Sequence, residues 1–450
     1  MVGPTIAIAA LFSLCAVIVR PGAAAGLIVA SLLIWPEYLR IPMGPIQMSA
    51  TRIVACVVLM RLLFSGRQEL VKWSWPDALI ILHYLWNIVA AVTTNAEPDF
   101  RNEMIGRAFD TVIIYFAARL AFTTLADLRS LIFPLALCAV TLGILGAMEA
   151  LTSRSPYQTL IRYHTWIWVV KDPDYRLGML RAFGSASHPI YFGIMMSMLT
   201  GILWALRPYA KSKQLHLCFI LFALIGCLSS LSSGPMMGLV SLIILCSFYY
   251  FPSLIYPALG CLIAASVFVE FASTRHFYNL IDYLALNKGT SWYRTRLLEV
   301  AWANLGEYWA VGVGSNFPHH WGQQIDTRQH VDVVNNFIIV ALNGGLLGLA
   351  LYCGSAIGSI RNAIRCYKQS TSKSHRVTSF CLACTVIAIL VASMSVGLFG
   401  GQMIMYYFLI AMTMSLRPVR AVVRGTRKNP SPQEHKSIST GPSIATTQPA

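Results

Sequence analysis

Apolar residues run along this chain in long blocks, and polar residues punctuate them briefly. A membrane-spanning helix needs about 20 predominantly apolar residues. Blocks of that character fall near 5–20, 23–36, 50–65, 77–94, 108–123, 130–148, 188–206, 215–231, 235–251, 252–269, 334–357, 378–398 and 401–416. The first two are short, so the expected total is 12 or 13 spans. No internal repeat and no soluble domain interrupt the series. The first block has no basic residue before it, so although Ala23-Ala24-Ala25 imitates a cleavage site, it reads as an uncleaved span. The pattern predicts an all-α, polytopic transmembrane bundle over 1–416. It leaves two long polar stretches, 149–187 and 270–333, as loops.

Composition agrees and removes the alternatives. A soluble chain of 450 residues would suggest roughly three domains. Here 56 % of residues are hydrophobic and 12 % charged, against about 25 % charged in soluble proteins. Mean hydropathy is +0.62. Soluble enzyme folds are excluded. The 34 basic and 18 acidic residues give +16, and the excess sits beside apolar blocks. The 207–214 stretch carries Arg207, Lys211 and Lys213. The 358–377 stretch carries Arg361, Arg365, Lys368, Lys373 and Arg376. The tail, 417–450, adds Arg417, Arg420, Arg424, Arg427, Lys428 and Lys436, then turns rich in Ser, Thr and Pro from Gly425 and reads as disordered. Basic residues mark the cytoplasmic side, which puts 149–187 and 270–333 together on the opposite, periplasmic face. No groove-reading motif accompanies the charge, so no nucleic-acid partner is expected. Nearly all of the eleven cysteines lie in or beside apolar blocks, and the one CxxC, Cys381–Cys384, has no second ligand pair. Neither a zinc site nor a disulfide framework is supported.

The two outer loops hold the candidate chemistry. The first contains Arg176-Leu-Gly-Met-Leu-Arg181-Ala-Phe-Gly184-Ser-Ala-Ser-His188-Pro189-Ile190. Pro189 suits a first helical turn, and the free N–H groups of such a turn favour an anion. Guanidinium forks grip phosphate oxygens. The functional reading is a pyrophosphate clamp. The alternative is a pair of interfacial arginines on lipid headgroups, with His188 as a helix cap. The second loop contains Ser291-Trp292-Tyr-Arg294-Thr-Arg296, then Gly312-Val-Gly314, His319-His320-Trp321 and Arg328-Gln-His330-Val-Asp332-Val-Val-Asn335-Asn336. His330 and Asp332 suit a general base for a hydroxyl. Trp292, Trp302, Trp309 and Trp321 suit stacking on sugars, or simply the membrane interface where tryptophan is enriched. Gly312–Gly314 is too short a glycine pattern to indicate a nucleotide, and the His spacing fits no standard metal set. Between the loops, Ser229-Ser-Leu-Ser-Ser233-Gly234-Pro235 marks either a plain turn or a helix break whose backbone must be satisfied by protein or a water-filled cavity.

As an ordered set these stretches resemble the O-antigen ligase and Wzy-type polymerase superfamily, near its exopolysaccharide-polymerase branch. The resemblance is carried by Arg119-Leu-Ala-Phe-Thr-Thr-Leu-Ala-Asp127-Leu-Arg129 with Met148-Glu149-Ala-Leu-Thr. It continues in Arg176-x-Gly178-x-x-Arg181-Ala-x-Gly184-x-x-x-His188-Pro-Ile-x-x-Gly193 and in Ser233-Gly234-Pro235. Tyr293-Arg294 through Gly312-Val-Gly314, Asn335-x-Phe337-Ile338 and Gly345-Leu-Leu-Gly348 complete it. Members often end the second loop on His-Asn or Asp-Asn, where this chain has Val334-Asn335, and often have a proline where this chain has Trp309. The resemblance implies a GT-C-like bundle in the bacterial inner membrane acting on its periplasmic face. It implies a metal-independent, cofactor-free glycosyltransferase that polymerises undecaprenyl-pyrophosphate-linked oligosaccharide repeat units into exopolysaccharide or O-antigen. Arg176, Arg181, Arg294 and Arg296 would bind pyrophosphate, and His330 or Asp332 would activate the acceptor. His188, Trp292 and Asn335 would contact the acceptor. The lipid-linked donor and acceptor, membrane lipids, and chain-length-regulating and export proteins would be its partners. The alternatives are a ligase joining finished glycan to lipid A core or protein, and a polysaccharide transporter or flippase. Transporters usually place polar groups at the bilayer midplane and often carry repeats, and neither is visible here.

Overall fold

The computed structural model describes residues 2–44, 46–94, 98–164, 174–272, 288–314, 318–326 and 331–419. About 76 % of the structure is helical, and the sheet among the described residues is two small antiparallel hairpins. The physical reason is the solvent. In lipid every backbone N–H and C=O must be paired within the chain, and a helix does this with its own residues.

The helices in chain order are α1 (Val2–Ile18), α2 (Pro21–Ile34), α3 (Ala50–Phe64), α4 (Trp75–Thr93), α5 (Pro98–Ala108), α6 (Ile114–Ala121), α7 (Leu125–Ser130), α8 (Ile132–Thr152), α9 (Gln158–Ile161) and α10 (Pro189–Leu206). There follow α11 (Lys213–Ser229), α12 (Ser233–Ser247), α13 (Ile255–Ala272), α14 (Lys288–Ala303), α15 (Leu305–Tyr308), α16 (Trp321–Asp326), α17 (Asn336–Gln369), α18 (Lys373–Ser393) and α19 (Gly401–Met414). Hairpin β1–β2 (Ile41–Met43, Ile46–Met48) follows α2, and hairpin β3–β4 (Tyr175–Arg176, Met179–Leu180) precedes α10. Among the described residues six helical stretches are long and apolar enough to cross a membrane, and five shorter apolar helices accompany them. The chain is a helical membrane protein. α10 is the axis of the bundle: its stretch is 83 % buried, packed by α11, α12, α18 and α19. α13 stands at the other extreme, exposed along its length.

Polar contacts sort the loops to two ends. At one end, Ser185 Oγ donates to Leu33 O at 2.5 Å, Ala182 N to Ser229 O at 3.0 Å and Asn335 Nδ2 to Met394 O at 3.0 Å. This loop end gathers the first outer stretch, the α11–α12 turn, the start of α17 and the α18–α19 turn. At the other, basic end, Arg119 Nε meets Asp77 Oδ1 at 2.9 Å, Arg67 meets Asp127 at 2.6 Å and Tyr209 Oη lies 2.9 Å from His375 Nδ1. The buried Arg52–Asp110 pair, at 2.6 and 2.8 Å, is built by a π turn (Phe109–Ile113) that joins α5 to α6.

Two expectations change. The basic 358–377 stretch is not a loop but the end of α17 and the start of α18, parted by Ser370–Ser372. Ala363 and Cys366 stay buried there, and Asn362 Nδ2 donates to the last carbonyls of α19, so the helix continues past the apolar block. α17 is also broken. Gly344 and Gly345 leave helical geometry, Gly345 at φ +65°. Residues 309–313 dock into the break through Val313 N to Leu342 O and Leu346 N to Trp309 O, both 2.8 Å. A Cβ on Gly345 would lie 2.2 Å from Ala310 O, and one on Gly312 would lie 2.2 Å from Leu342 O. The Gly312-Val-Gly314 pattern therefore serves close backbone approach.

Candidate functional site

The first outer stretch is held from three sides. Its hairpin turns at Leu177–Gly178, both at positive φ, the geometry of a tight two-residue hairpin loop. Arg181 follows, 4 % exposed. Its guanidinium pairs with Asp174, donates from Nη2 to Ser232 Oγ at 2.7 Å, and reaches Ser230 O at 3.4 Å. Arg176 Nη1 donates to Leu231 O at 3.0 Å. The Ser229–Pro235 break is thus satisfied by protein, with two arginines and the Ala182 N–H feeding its carbonyls. From below, buried Glu149 accepts the N–H groups of Phe183 and Gly184 at 3.3 and 3.1 Å.

His188 caps α10, its Nδ1 accepting from Ile190 N at 3.1 Å. Burial and then the nearby Arg181 charge push its pKa down to about 4. It is neutral at ordinary pH, and because Nδ1 accepts, the proton sits on Nε2. The ring lies 5.4 Å from that of Tyr191.

The second outer stretch contributes Arg294. Burial, then the charge of Arg176, lowers the pKa of this guanidinium, and Asp332 opposes them. Arg176, in turn, is lowered by burial and then by Arg181. Arg294 therefore feels a cation from the first stretch, Arg176, and a carboxylate from its own, Asp332. Asp332 is held by its backbone N–H donating to Tyr293 Oη at 2.9 Å. Tyr191 feels the charges of both Asp332 and Glu37.

The remaining expected residues go elsewhere. Arg294 and Arg296 are two positions apart on α14, about 200° around the helix. Arg296 pairs with Glu299 at 2.7 Å and donates to Gln324 O at 3.3 Å, outside the cluster. Trp292, one turn before it, is 50 % exposed on that same face. Asn335 is spent as the cap of α17: Oδ1 accepts from Phe337 N and Ile338 N at 2.9 and 3.3 Å. Trp321 is fully buried, its Nε1 donating to Glu307 at 3.2 Å, and His320 pairs with the same carboxylate. His330 lies outside the described residues. Among the described residues no cluster of three His, Cys, Asp or Glu is arranged to hold a metal.

Sequence reasoning missed Glu37. It follows α2 and is 8 % exposed, with its carboxylate against the first residues of α19. A Cβ on Gly400 would lie 2.6 Å from its oxygens, and the Gly401 N–H bonds to it. Burial pushes its pKa up to about 7, against the pull of Arg40. A lone acid just after a short apolar block gave no pattern to find. No protein-family model matches the chain, and no curated protein matches it in sequence.

Proposed function

We propose that the chain is a metal-independent glycosyltransferase of the O-antigen ligase and Wzy-type polymerase superfamily. On this reading it is a GT-C-like bundle of 12 or 13 spans in a bacterial inner membrane, with the loop end periplasmic. It polymerises oligosaccharide repeat units carried on undecaprenyl pyrophosphate. The observation that carries the proposal is that the half-buried guanidinium of Arg294, in the second stretch, feels the charges of both Arg176 in the first stretch and Asp332.

The chemistry follows from those groups. Pyrophosphate is a good leaving group and needs cations rather than an acid. The acceptor hydroxyl oxygen forms the new bond to the anomeric carbon as the bond to the diphosphate oxygen breaks. The hydroxyl proton passes to Asp332 or His330, and the electron pair leaves with the lipid diphosphate, neutralised by Arg176 and Arg294. Arg181, with its fork already occupied, positions the segment that carries Arg176.

The test is purified protein incubated with a lipid-linked oligosaccharide. A ladder of products is expected from the wild type. Arg176→Ala and Arg294→Ala should lose it while melting normally. A full ladder from both variants overturns the assignment. Transfer of one intact glycan without a ladder would identify a ligase, and movement of lipid-linked sugar across vesicles without any new glycosidic bond would identify a flippase.

A further inference from the structure

The basic end carries a strip of aromatic rings held between two guanidinium groups. Arg207, just past α10, lies over the Trp204 ring at 4.5 Å, and its Nη2 donates to Tyr250 Oη at 2.8 Å. Tyr250 packs edge-on against Tyr249 at 5.4 Å, both just past α12. Tyr249 meets Phe380 of α18 at 5.7 Å and Tyr367 of α17 at 6.2 Å, and those two rings meet each other at 5.4 Å. Arg376, one turn before Phe380, closes the strip, its Cζ 5.0 Å from the centre of the Tyr367 ring. The strip sits where apolar helix gives way to polar chain, the level of a membrane at which Tyr and Trp collect. Tyr250 and Arg376 are exposed there, and Tyr249 and Tyr367 are half-buried. From it, α12 runs back with Val240, Ile243 and Ile244 exposed, an apolar stripe at helical spacing.

Charge decides what can cover this strip. No Asp or Glu occurs between Asp174 and Glu270, nor between Asp332 and Glu434, so no element that builds it carries a carboxylate. Among the described residues the Arg376 guanidinium has no hydrogen bond or ion pair, and that of Arg207 has one, to a neutral phenol. A ring against the face of a guanidinium holds its plane and leaves the N–H edge open. Such an edge takes two phosphate oxygens at once. Lys211, Lys213, Lys368 and Lys373 stand exposed at the same end. A second copy of this chain would bring the same positive charge to the strip and is a poor occupant. The guest that fits has an anionic phosphate at interface level and apolar chains below it, and a basic pocket between helix ends is where a bilayer offers one.

We propose that this strip seats the headgroup of an anionic phospholipid, its phosphate in the arginine forks and an acyl chain along the α12 stripe. The seat is independent of the transferase reading. The experiment titrates the purified full-length protein in detergent with phosphatidylglycerol, with phosphatidylcholine, and with glycerophosphoglycerol, the same headgroup without acyl chains. Bound molecules are counted by native mass spectrometry. Phosphatidylglycerol should bind about tenfold more tightly than phosphatidylcholine, and the acyl-free headgroup weakly. Arg207→Lys with Arg376→Lys keeps the charge and removes both forks, and should weaken phosphatidylglycerol about fivefold or more. Lys368→Gln with Lys373→Gln removes two charges and keeps the forks, and should weaken it less than about twofold. Arg376→Lys alone carries the test if the paired variant fails to fold. Equal binding of the two lipids overturns the seat, and so does a larger loss in the lysine variant than in the arginine variant, which would mean diffuse charge. Equally tight binding of glycerophosphoglycerol would identify a site for a free phosphodiester and overturn the lipid assignment. A polyglutamate peptide that binds where phosphatidylglycerol does not would overturn it in favour of an acidic protein.

Discussion

Glu37 offers a quantitative test of how the loop end is organised. Its carboxyl moves from 4.5 to about 7 on folding, chiefly because burial disfavours the charge. The groups around it are Arg40, Asp110, Arg52 and the Gly401 N–H. Between those two pH values the folded protein holds a proton that the unfolded chain has released, so stability falls as pH rises. It is highest below about 4.5 and levels off above about 7. At 1.36 kcal/mol per pH unit, the fall amounts to about 3 kcal/mol. Glu37→Gln removes the titration and keeps an oxygen for the Gly401 N–H. The variant should match the wild type near pH 4.5 and exceed it by up to about 3 kcal/mol at pH 8. Thermal unfolding in detergent from pH 4.5 to 8.5, followed by tryptophan fluorescence, reads the difference, and other titrating groups cancel. Parallel curves would refute the reasoning. So would a wild type that gains stability across this window relative to the variant, since that would make Glu37 an ion-paired anion of Arg40.

Arg181→Ala strips partners from Asp174, Ser230 O and Ser232 Oγ and should cost about 2–4 kcal/mol. An unchanged melting temperature would deny its anchoring role. Gly345→Ala places a Cβ against Ala310 O at a φ that suits glycine, and should expose residues 305–326 to protease at concentrations that spare the wild type. Equal resistance would argue against the docked break. Asn335→Ala leaves two N–H groups uncapped at about 1 kcal/mol, yet should still make a ladder. Loss of the ladder at normal stability would return Asn335 to the acceptor site. Arg294→Leu should lose the ladder while melting at or above the wild-type temperature without donor present, because burial and Arg176 both oppose its charge. A clear drop in melting temperature would show that Arg294 is structural.

The helices were legible because an apolar block in lipid has one way to pair its backbone. The blocks predicted α3, α10 and α11 to within about two residues. The site was legible as residue types but not as sides. Arg294, Arg296 and Trp292 read alike in a stretch taken for a loop. Once 288–303 is a helix, its 100° step turns Arg294 away from the other two. Asn335 and Trp321 carried chemistry that suits sugars, and packing absorbed both, one as a cap and one in the core beneath Glu307. Gly312 and Gly345 lie 33 positions apart, and only their pairing explains either. The buried Arg52–Asp110 and Arg119–Asp77 pairs were hidden for the same reason, since each joins residues more than 40 positions apart.

The arginines of the loop end are best understood by what already neutralises them. Arg181 is surrounded: a carboxylate, a hydroxyl and a carbonyl occupy its fork, so its charge is committed to holding the β3–β4 hairpin against the α11–α12 turn. Arg176 gives one N–H to Leu231 O, and its charge raises the cost of burying Arg294. Asp174 and Asp332 are two carboxylates facing three guanidinium groups, and His188 is neutral and adds nothing to the anionic side. The charge of Arg176 adds to the cost of burying the Arg294 guanidinium, and Asp332 offsets part of that cost. On the proposed reading a guest supplies the missing negative charge, and a diphosphate would supply about two. The same accounting ranks the arginines: the donors of Arg181 are filled by the fold, and on the transferase reading Arg176 and Arg294 would meet the diphosphate.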